Sequence, residues 1–301
     1  MPDITLQSAL AQVTIGLIAG CFYAMLSMGL AIIFGLLNII NFTHGAQFMM
    51  AAFLAWIGLT QVGPWLGMPE FQIGFWPALL VAPLCVAALG MAVERLLLRR
   101  LSHLDHLYGL LLTFGVALVT EGLFRHAYGV SGQGYEPPES LQGPVDVGFM
   151  LLPKYRVFVV GASLLICLST WYAFERTRLG AYLRAGTENP RLLQAFGINV
   201  PLMITLAYGF GVALAGLAGV LAAPIMQVTP LMGGSILNIV FAVVVIGGLG
   251  SILGAMVTGL GLGLVEGVTK VVYPEASTVV IFVIMALVLL LRPAGLFGRE
   301  A

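Results

Sequence analysis

Apolar residues run along this chain in long unbroken stretches with no alternation, each interrupted by a short polar or glycine-proline punctuation. A crossing of a bilayer needs about 20 apolar residues in a helix. The runs that qualify are Ala9–Phe34, Gly45–Gln61, Gly74–Leu98, Leu107–Phe124, Val157–Phe174, Leu202–Ala222, Ile236–Gly248, Ile252–Val268 and Ser277–Leu291. They predict an all-α, polytopic transmembrane helical bundle of eight or nine spans. Gly45–Gln61 and Ile236–Gly248 are short, and read equally as half-helices of discontinuous spans. A transmembrane β-barrel would alternate polar and apolar residues, which these runs do not. The whole of residues 1–301 reads as a single transmembrane domain.

Composition agrees with that pattern. Of 301 residues, 60% are hydrophobic and 9% charged, and the mean hydropathy is +1.03. Soluble domains carry roughly 25% charged residues, so a chain so poor in charge has no adequate aqueous surface; a lipid bilayer removes the conflict. The formal net charge is zero, which gives no footing for nucleic acid. Cys21, Cys85 and Cys167 lie in apolar runs without paired spacing and read as small buried residues, with no metal or cofactor expected. The stretch LIAGC (Leu17–Cys21) resembles a lipoprotein cleavage box, but no basic n-region precedes it and the apolar run continues past it.

The basic residues cluster in a way that assigns sides. Arg95, Arg99 and Arg100 lie in one loop, Arg176, Arg178, Arg184 and Arg191 in another, and Arg292 and Arg299 in the tail. All three are expected in the cytoplasm. Gly129–Gly148 carries three acids and no base and is expected outside. Nine spans would put the N-terminus outside as well. Ile4–Pro69 and Leu192–Val265 are both long runs interrupted near the middle by Gly and Asn. Transporters are often built from such repeats, and random apolar sequence produces the same echo, so duplication and chance stand side by side at this level.

Several small motifs have plain readings. Gly16/Gly20, Gly250/Gly254 and Gly263/Gly267 are spaced for close helix packing inside one bundle. Glu266/Lys270 and Glu121/Arg125 are i,i+4 pairs. His103 and His106 flank Asp105, with no third ligand nearby, and read as a solvated loop. GLGSILG and GLGLGLVEG have no strand before them and are not nucleotide loops.

Two stretches resist that treatment. In GLLNIINFTHGAQFMMAAF (Gly35–Phe53), Asn38, Asn41, Thr43, His44 and Gln47 form a polar island in a run without a single Asp, Glu, Lys or Arg from Ile4 to Pro69. Each unsatisfied polar group facing lipid costs several kcal/mol, so these side chains face protein or a wet cavity. Helix-to-helix hydrogen bonding and a broken helix lining a translocation path are equally good readings, with Gly45 permitting the break. In TRLGAYLRAGTENPRLLQAFGINVP, Asn189 can cap a helix that has Pro190 at its first position and Gly197 at its end. Leu192, Leu193 and Phe196 then form an apolar side, flanked by Arg184 and Arg191, that can lie on lipid or enter a partner's groove.

GLLNIINFTHGAQFMMAAF, RAGTENPRLLQAFGINV, VVVIGGLGSILGAMVTGLGLGLVE and LRPAGLFG resemble, in order and over nearly the whole chain, the motifs of the branched-chain amino-acid ABC-transporter permeases of the LivH-type subunit. The resemblance implies a permease subunit of a bacterial inner-membrane importer that works with a second, homologous permease, two cytoplasmic ATPases and a periplasmic substrate-binding protein. Relatives in that family also carry urea, amides or aromatic acids. No G-x-x-x-x-G-K-[ST] loop is present, so hydrolysis falls to a partner and this chain is not expected to be an enzyme. On that reading Asn38, Asn41, Thr43, His44, Gly45 and Gln47 belong to the translocation path. Arg184, Asn189, Pro190, Leu192, Leu193, Phe196 and Gly197 couple to the ATPase. A stand-alone channel or secondary transporter, the competing reading, would need its own coupling-ion groups.

Overall fold

The computed structural model describes residues 6–101 and 104–298. Asp3, Ser102, His103 and Arg299 lie outside the described residues; of the His103–Asp105–His106 reading, Asp105 caps α6 by accepting from Leu107 N (2.9 Å) and His106 is exposed at the start of that helix. Each of the nine apolar runs is a helix. In chain order the elements are α1 (Leu6–Leu37), α2 (Thr43–Thr60), a single turn α3 (Val62–Trp65), α4 (Phe75–Val93), a π-helical turn (Glu94–Leu98), α5 (Arg99–Leu101) and α6 (His106–Tyr128). A hairpin of β1 (Pro144–Asp146) and β2 (Leu151–Pro153) follows, then α7 (Lys154–Glu175), α8 (Arg178–Glu188), α9 (Pro190–Ala195), α10 (Val200–Ala222), α11 (Met232–Gly247), α12 (Ile252–Val272) and α13 (Val279–Leu291). Among the described residues, six helices are long and apolar enough to cross a bilayer unaided: α1, α4 with its continuation to Leu101, α6, α7, α10 and α12; α11 and α13 are shorter apolar helices.

Burial sorts these helices into two shells. The apolar windows of α1 and α10 are 83% and 72% buried, against 11% for α6 and 22% for α7. A helix that is apolar all round and enclosed belongs to the centre of a bundle, and one that is apolar but exposed needs lipid around it. α1 and α12 pack along their length, with Gly16 against Gly263 and Gly267 and Gly20 against Leu260. The glycine spacing thus serves packing within the chain, as its sequence suggested. Tyr23 donates to Glu266 (2.7 Å), which also pairs with Lys270 (2.6 Å). Glu121 and Arg125 pair as well.

The packing partners reveal a repeat. α1 lies on α12 as α10 lies on α4; α2 meets α10 as α11 meets α1; α2 meets α4 and α6 as α11 meets α12 and α13. Under the correspondence α1/α10, α2/α11, α4/α12, α6/α13, each of these contacts maps onto another. The directions are opposed. α2 runs alongside α10, since Asn41 meets Tyr208 and Phe48 meets Gly219. α1, joined to α2 by a short link and bringing Leu26 opposite His44, runs against it. α1 and α10 are therefore antiparallel equivalents, the arrangement of an inverted repeat. Two reciprocal glycine contacts sit where the halves cross. A Cβ on Gly29 or Gly211 would come within 3 Å of the other's carbonyl oxygen, and Gly45 and Gly233 stand in the same relation.

Loops collect at two ends. At one, Gln7 of α1 donates to the carbonyl of Phe149 (2.7 Å), and Gln133 and Val228 exchange two backbone bonds (2.9 Å each). At the other, Arg99 reaches the carbonyl of Pro201 (3.0 Å), α8 packs on α7 and α1, and Leu296 in the tail bonds to Ile246 (2.8 Å). The acidic loop and the arginine loops are thereby separated by the length of the bundle.

Candidate functional site

The site is built where α1 stops. Asn38 takes φ +54°, the one non-glycine residue with positive φ among those described. Asn tolerates this left-handed geometry better than most residues, and it ends the 32-residue helix. Residues 38–42 then turn the chain back into α2. The break lies here, several residues before Gly45, which sits inside the first turn of α2. Gly45 instead lets that turn touch Gly233 at the start of α11. The expectation that Gly45 permits the break is corrected accordingly.

The link is recessed. Phe42 N donates to Thr113 Oγ1 (3.2 Å), whose hydroxyl also faces the carbonyl of Ile40 (3.2 Å). Thr113 is seven residues into α6, so α2 begins about 10 Å along that helix. α11 begins in the same manner from the other end: Phe42 stacks edge-on with Phe241 at 5.1 Å, and Gly45 faces Gly233 and Leu237. α2 and α11 overlap through their first turns and leave in opposite directions. They are the two short runs of the sequence, 18 and 16 residues long, and both begin inside the bundle.

The polar island closes on itself around the start of α2. Asn41 Nδ2 donates to Tyr208 Oη (3.2 Å), and Asn41 Oδ1 accepts from Thr43 N (3.1 Å) and from the Thr43 hydroxyl. Gln47 Nε2 donates to Thr43 Oγ1 (3.3 Å). His44 Nε2 donates to the carbonyl of Leu26 (2.9 Å), where α1 lies under Gly29. Asn41, Thr43, His44 and Gln47 are each at most 3% exposed. His44 Nδ1 and Gln47 Oε1 have no hydrogen-bond partner. Buried polar atoms are nearly always paired, so two such atoms within one turn of α2 set this cluster apart from the apolar packing around it. Asn38 is the member of the island left exposed; it lines a cavity of about 790 Å³ at the arginine-rich end, with Trp171, Glu175, Arg184 and Ser251 also on its wall.

The second predicted element is present with one correction. Asn189 Oδ1 accepts from Leu192 N (3.0 Å), Pro190 opens α9, and Gly197 follows with φ +81°. Leu192 and Phe196 are 57% and 76% exposed, but Leu193 is 8% exposed. Its side chain packs beside Gly186 of α8, where Val200 and Met203 of α10 also meet. Leu193 therefore faces the chain's own core, and the apolar surface offered outward consists of Leu192 and Phe196. Arg184 bonds to the Phe174 carbonyl (3.2 Å) and lies 3.7 Å from Glu175, which fixes α8 to the end of α7.

A third cluster was not read from the sequence. Glu94, 1% exposed, accepts from Arg99 Nε (3.2 Å) and Nη2 (3.1 Å) and from Thr205 Oγ1 (2.7 Å). Residues five apart do not share a face of an α-helix; the extra residue in the π-turn supplies the coincidence. Tyr208 and Thr113 were also missed, because nothing local marks a tyrosine or threonine in an apolar run as the partner of a distant asparagine.

Comparison with known proteins covers nearly the whole chain. The family model described as branched-chain amino acid transport system / permease component matches residues 12–289. The high-affinity branched-chain amino acid transport system permease protein BraD of Pseudomonas aeruginosa is 29% identical, with 99% of this chain and 98% of that protein covered. The corresponding permease protein LivH of Escherichia coli K12 is 28% identical, with 96% of each chain covered. A probable branched-chain amino acid transport permease protein LivH of Methanocaldococcus jannaschii is 26% identical over 92% of this chain and 88% of its own length. No solved structure matches. Matched by one family model over residues 12–289, as the relatives' names agree, this is a transport protein and not an enzyme: the chain belongs to the permease components of branched-chain amino acid transport systems.

Proposed function

We propose that this chain forms part of the translocation path of a bacterial ABC importer for branched-chain amino acids or a related small polar solute. A periplasmic binding protein delivers the solute, a second homologous permease completes the path, and two cytoplasmic ATPases drive it. The arginine-rich end, with the C-terminal tail, faces the cytoplasm, and the N-terminus and acidic loop face the periplasm. The observation that carries this reading is the recessed start of α2. A polar cluster of Asn41, Thr43, His44 and Gln47 lies inside an otherwise apolar bundle, next to the crossing of two inverted half-helices.

Half-helix starts inside a bundle present N–H groups and a partial positive charge toward a solute's carboxylate. In the conformation described, the cluster is shut, and the large cavity opens beneath it toward the arginine-rich end. Parting α2 from α10 at the Asn41–Tyr208 bond would expose Asn41, Thr43 and Gln47 along a polar wall. The absence of any nucleotide loop in the sequence leaves the energy to a partner, and α9 with its outward Leu192 and Phe196 is the element that meets it.

His44→Leu tests the path. Uptake of labelled leucine is measured in vesicles holding the whole complex, and assembly is measured separately by co-purification. The expected result is normal assembly with uptake reduced at least tenfold. Unchanged uptake would remove the island from the path.

A further inference from the structure

The cluster of Glu94, Arg99 and Thr205 lies outside the polar island and is unexplained by it. Glu94 is almost fully enclosed, yet it holds a carboxylate bound by a guanidinium and a hydroxyl. Burying the carboxylate is costly even with the Arg99 side chain left 35% exposed, and an apolar substitute of similar volume is often as stable or more so. Stability alone is therefore a weak reason for its presence.

Its position is informative. α8, α9 and the first turn of α10 form one body: Gly186 of α8 touches Leu193 of α9 and both Val200 and Met203 of α10, and Asn199 Oδ1 caps α10 through Leu202 N (3.1 Å). Arg99 holds that body from the α4 side, through the carbonyl of Pro201 (3.0 Å) and the hydroxyl of Thr205. A cavity of about 250 Å³ separates Pro190 and Gln194 of α9 from Glu94 and Arg99. α9 thus has space to move on the side where it would be pushed, while α10 is tied to α4 at the clamp.

Along α10, Thr205 and Tyr208 are three residues apart and share a face. Tyr208 is the residue whose hydroxyl accepts from Asn41. α9 packs on the start of α10, and α10 carries Thr205 at the clamp and Tyr208 against Asn41 at the start of α2. π-turns inside α-helices recur at functional sites, and here the π-turn is what brings Glu94 and Arg99 together.

We infer that Glu94 and Arg99 are positioning residues for transport, clamping α10 to α4 so that displacement of the α8–α9 body is delivered to the Asn41–Tyr208 contact. The inference rests on the reading of α8–α9 as the ATPase-facing element, and deepens it. Without the clamp the displacement is absorbed by sliding of α10 along α4. ATP is then still hydrolysed, and the polar start of α2 does not part from α10.

The test uses the complete complex, purified through a tag on this chain and placed in proteoliposomes with leucine-loaded binding protein. Labelled leucine taken up and ATP hydrolysed are measured together. Glu94→Gln keeps the size of the side chain and removes the charge. The expected result is retained ATPase subunits, retained basal hydrolysis, and at least a tenfold lower ratio of leucine transported to ATP hydrolysed. Glu94→Asp, which restores the charge, should recover most of that ratio. A purely structural role lowers the yield of folded complex and leaves the ratio unchanged, and that outcome overturns the inference. Tyr208→Phe supplies a second route. If both residues lie on one line, Glu94→Gln with Tyr208→Phe is no worse than the poorer single variant. Multiplied losses overturn the inference even if each variant alone is defective. If the unaltered complex shows no ATP-driven uptake, the broader functional reading fails, and this is distinguishable because it involves no variant.

Discussion

Gly233 and Gly234 are adjacent in α11 and should respond oppositely to the same substitution. A Cβ on Gly233 would come within 3 Å of the Gly45 carbonyl oxygen and carbon, and both are backbone that cannot rotate away. A Cβ on Gly234 meets nothing within 4 Å. Replacing Gly by Ala inside a helix gains about 0.5–1 kcal/mol through backbone entropy, and Gly234→Ala should keep that gain. Gly233→Ala gains the same amount and loses more, because restoring ordinary contact requires α2 and α11 to move apart. Overpacking of this kind costs roughly 1–3 kcal/mol. The expected gap between the two variants is therefore about 1–3 kcal/mol, with Gly233→Ala the less stable. Thermal unfolding of the purified protein in detergent measures it as the difference in midpoint. Leucine uptake should fall for Gly233→Ala, whose shift is passed to the first turn of α2, and stay unchanged for Gly234→Ala. Equal midpoints for the two variants would refute the assignment of Gly45–Gly233 as a close crossing.

Two further tests address the arginine-rich end and the orientation. Leu192→Ser with Phe196→Ser should leave the unfolding midpoint unchanged and reduce the ATPase subunits retained on purification. Leu193→Ala should instead destabilise the chain by roughly 2–5 kcal/mol, as for a buried leucine; loss of ATPase binding from Leu193→Ala alone, at full stability, would reverse the division between them. A cysteine placed at Ser140 should react with a membrane-impermeant thiol reagent in intact spheroplasts, and one placed at Thr187 only after permeabilisation. Labelling of Thr187→Cys in sealed cells would invert the orientation.

The polar island shows how far local sequence reaches. Four of its five polar residues are buried in protein and Asn38 lines a cavity, as the cost of facing lipid requires, and that was legible from the composition of the run. Where the helix breaks was not. Gly45 is the obvious breaker by type, yet Asn38 takes the left-handed turn and Gly45 stays helical, because the demand on Gly45 comes from the backbone of Gly233, far along the chain. Leu193 shows the same limit. Spacing put it with Leu192 and Phe196, but Gly186, Val200 and Met203 enclose it.

Local pattern was enough for the nine apolar helices, two of them short, the separation of acidic and basic loops and the Asn189–Gly197 element. Each depends on interactions within a turn or two, or on the partition of a segment between water and lipid. The inverted pairing of the two halves, the closed Asn41–Tyr208 contact and the Glu94–Arg99–Thr205 clamp became visible only in three dimensions. These join residues more than a hundred positions apart, or residues brought together by a π-turn that no local propensity announces. A buried hydrogen bond needs both partners at one point in space, and the packing of α4 and α10 along one another is what brings them there.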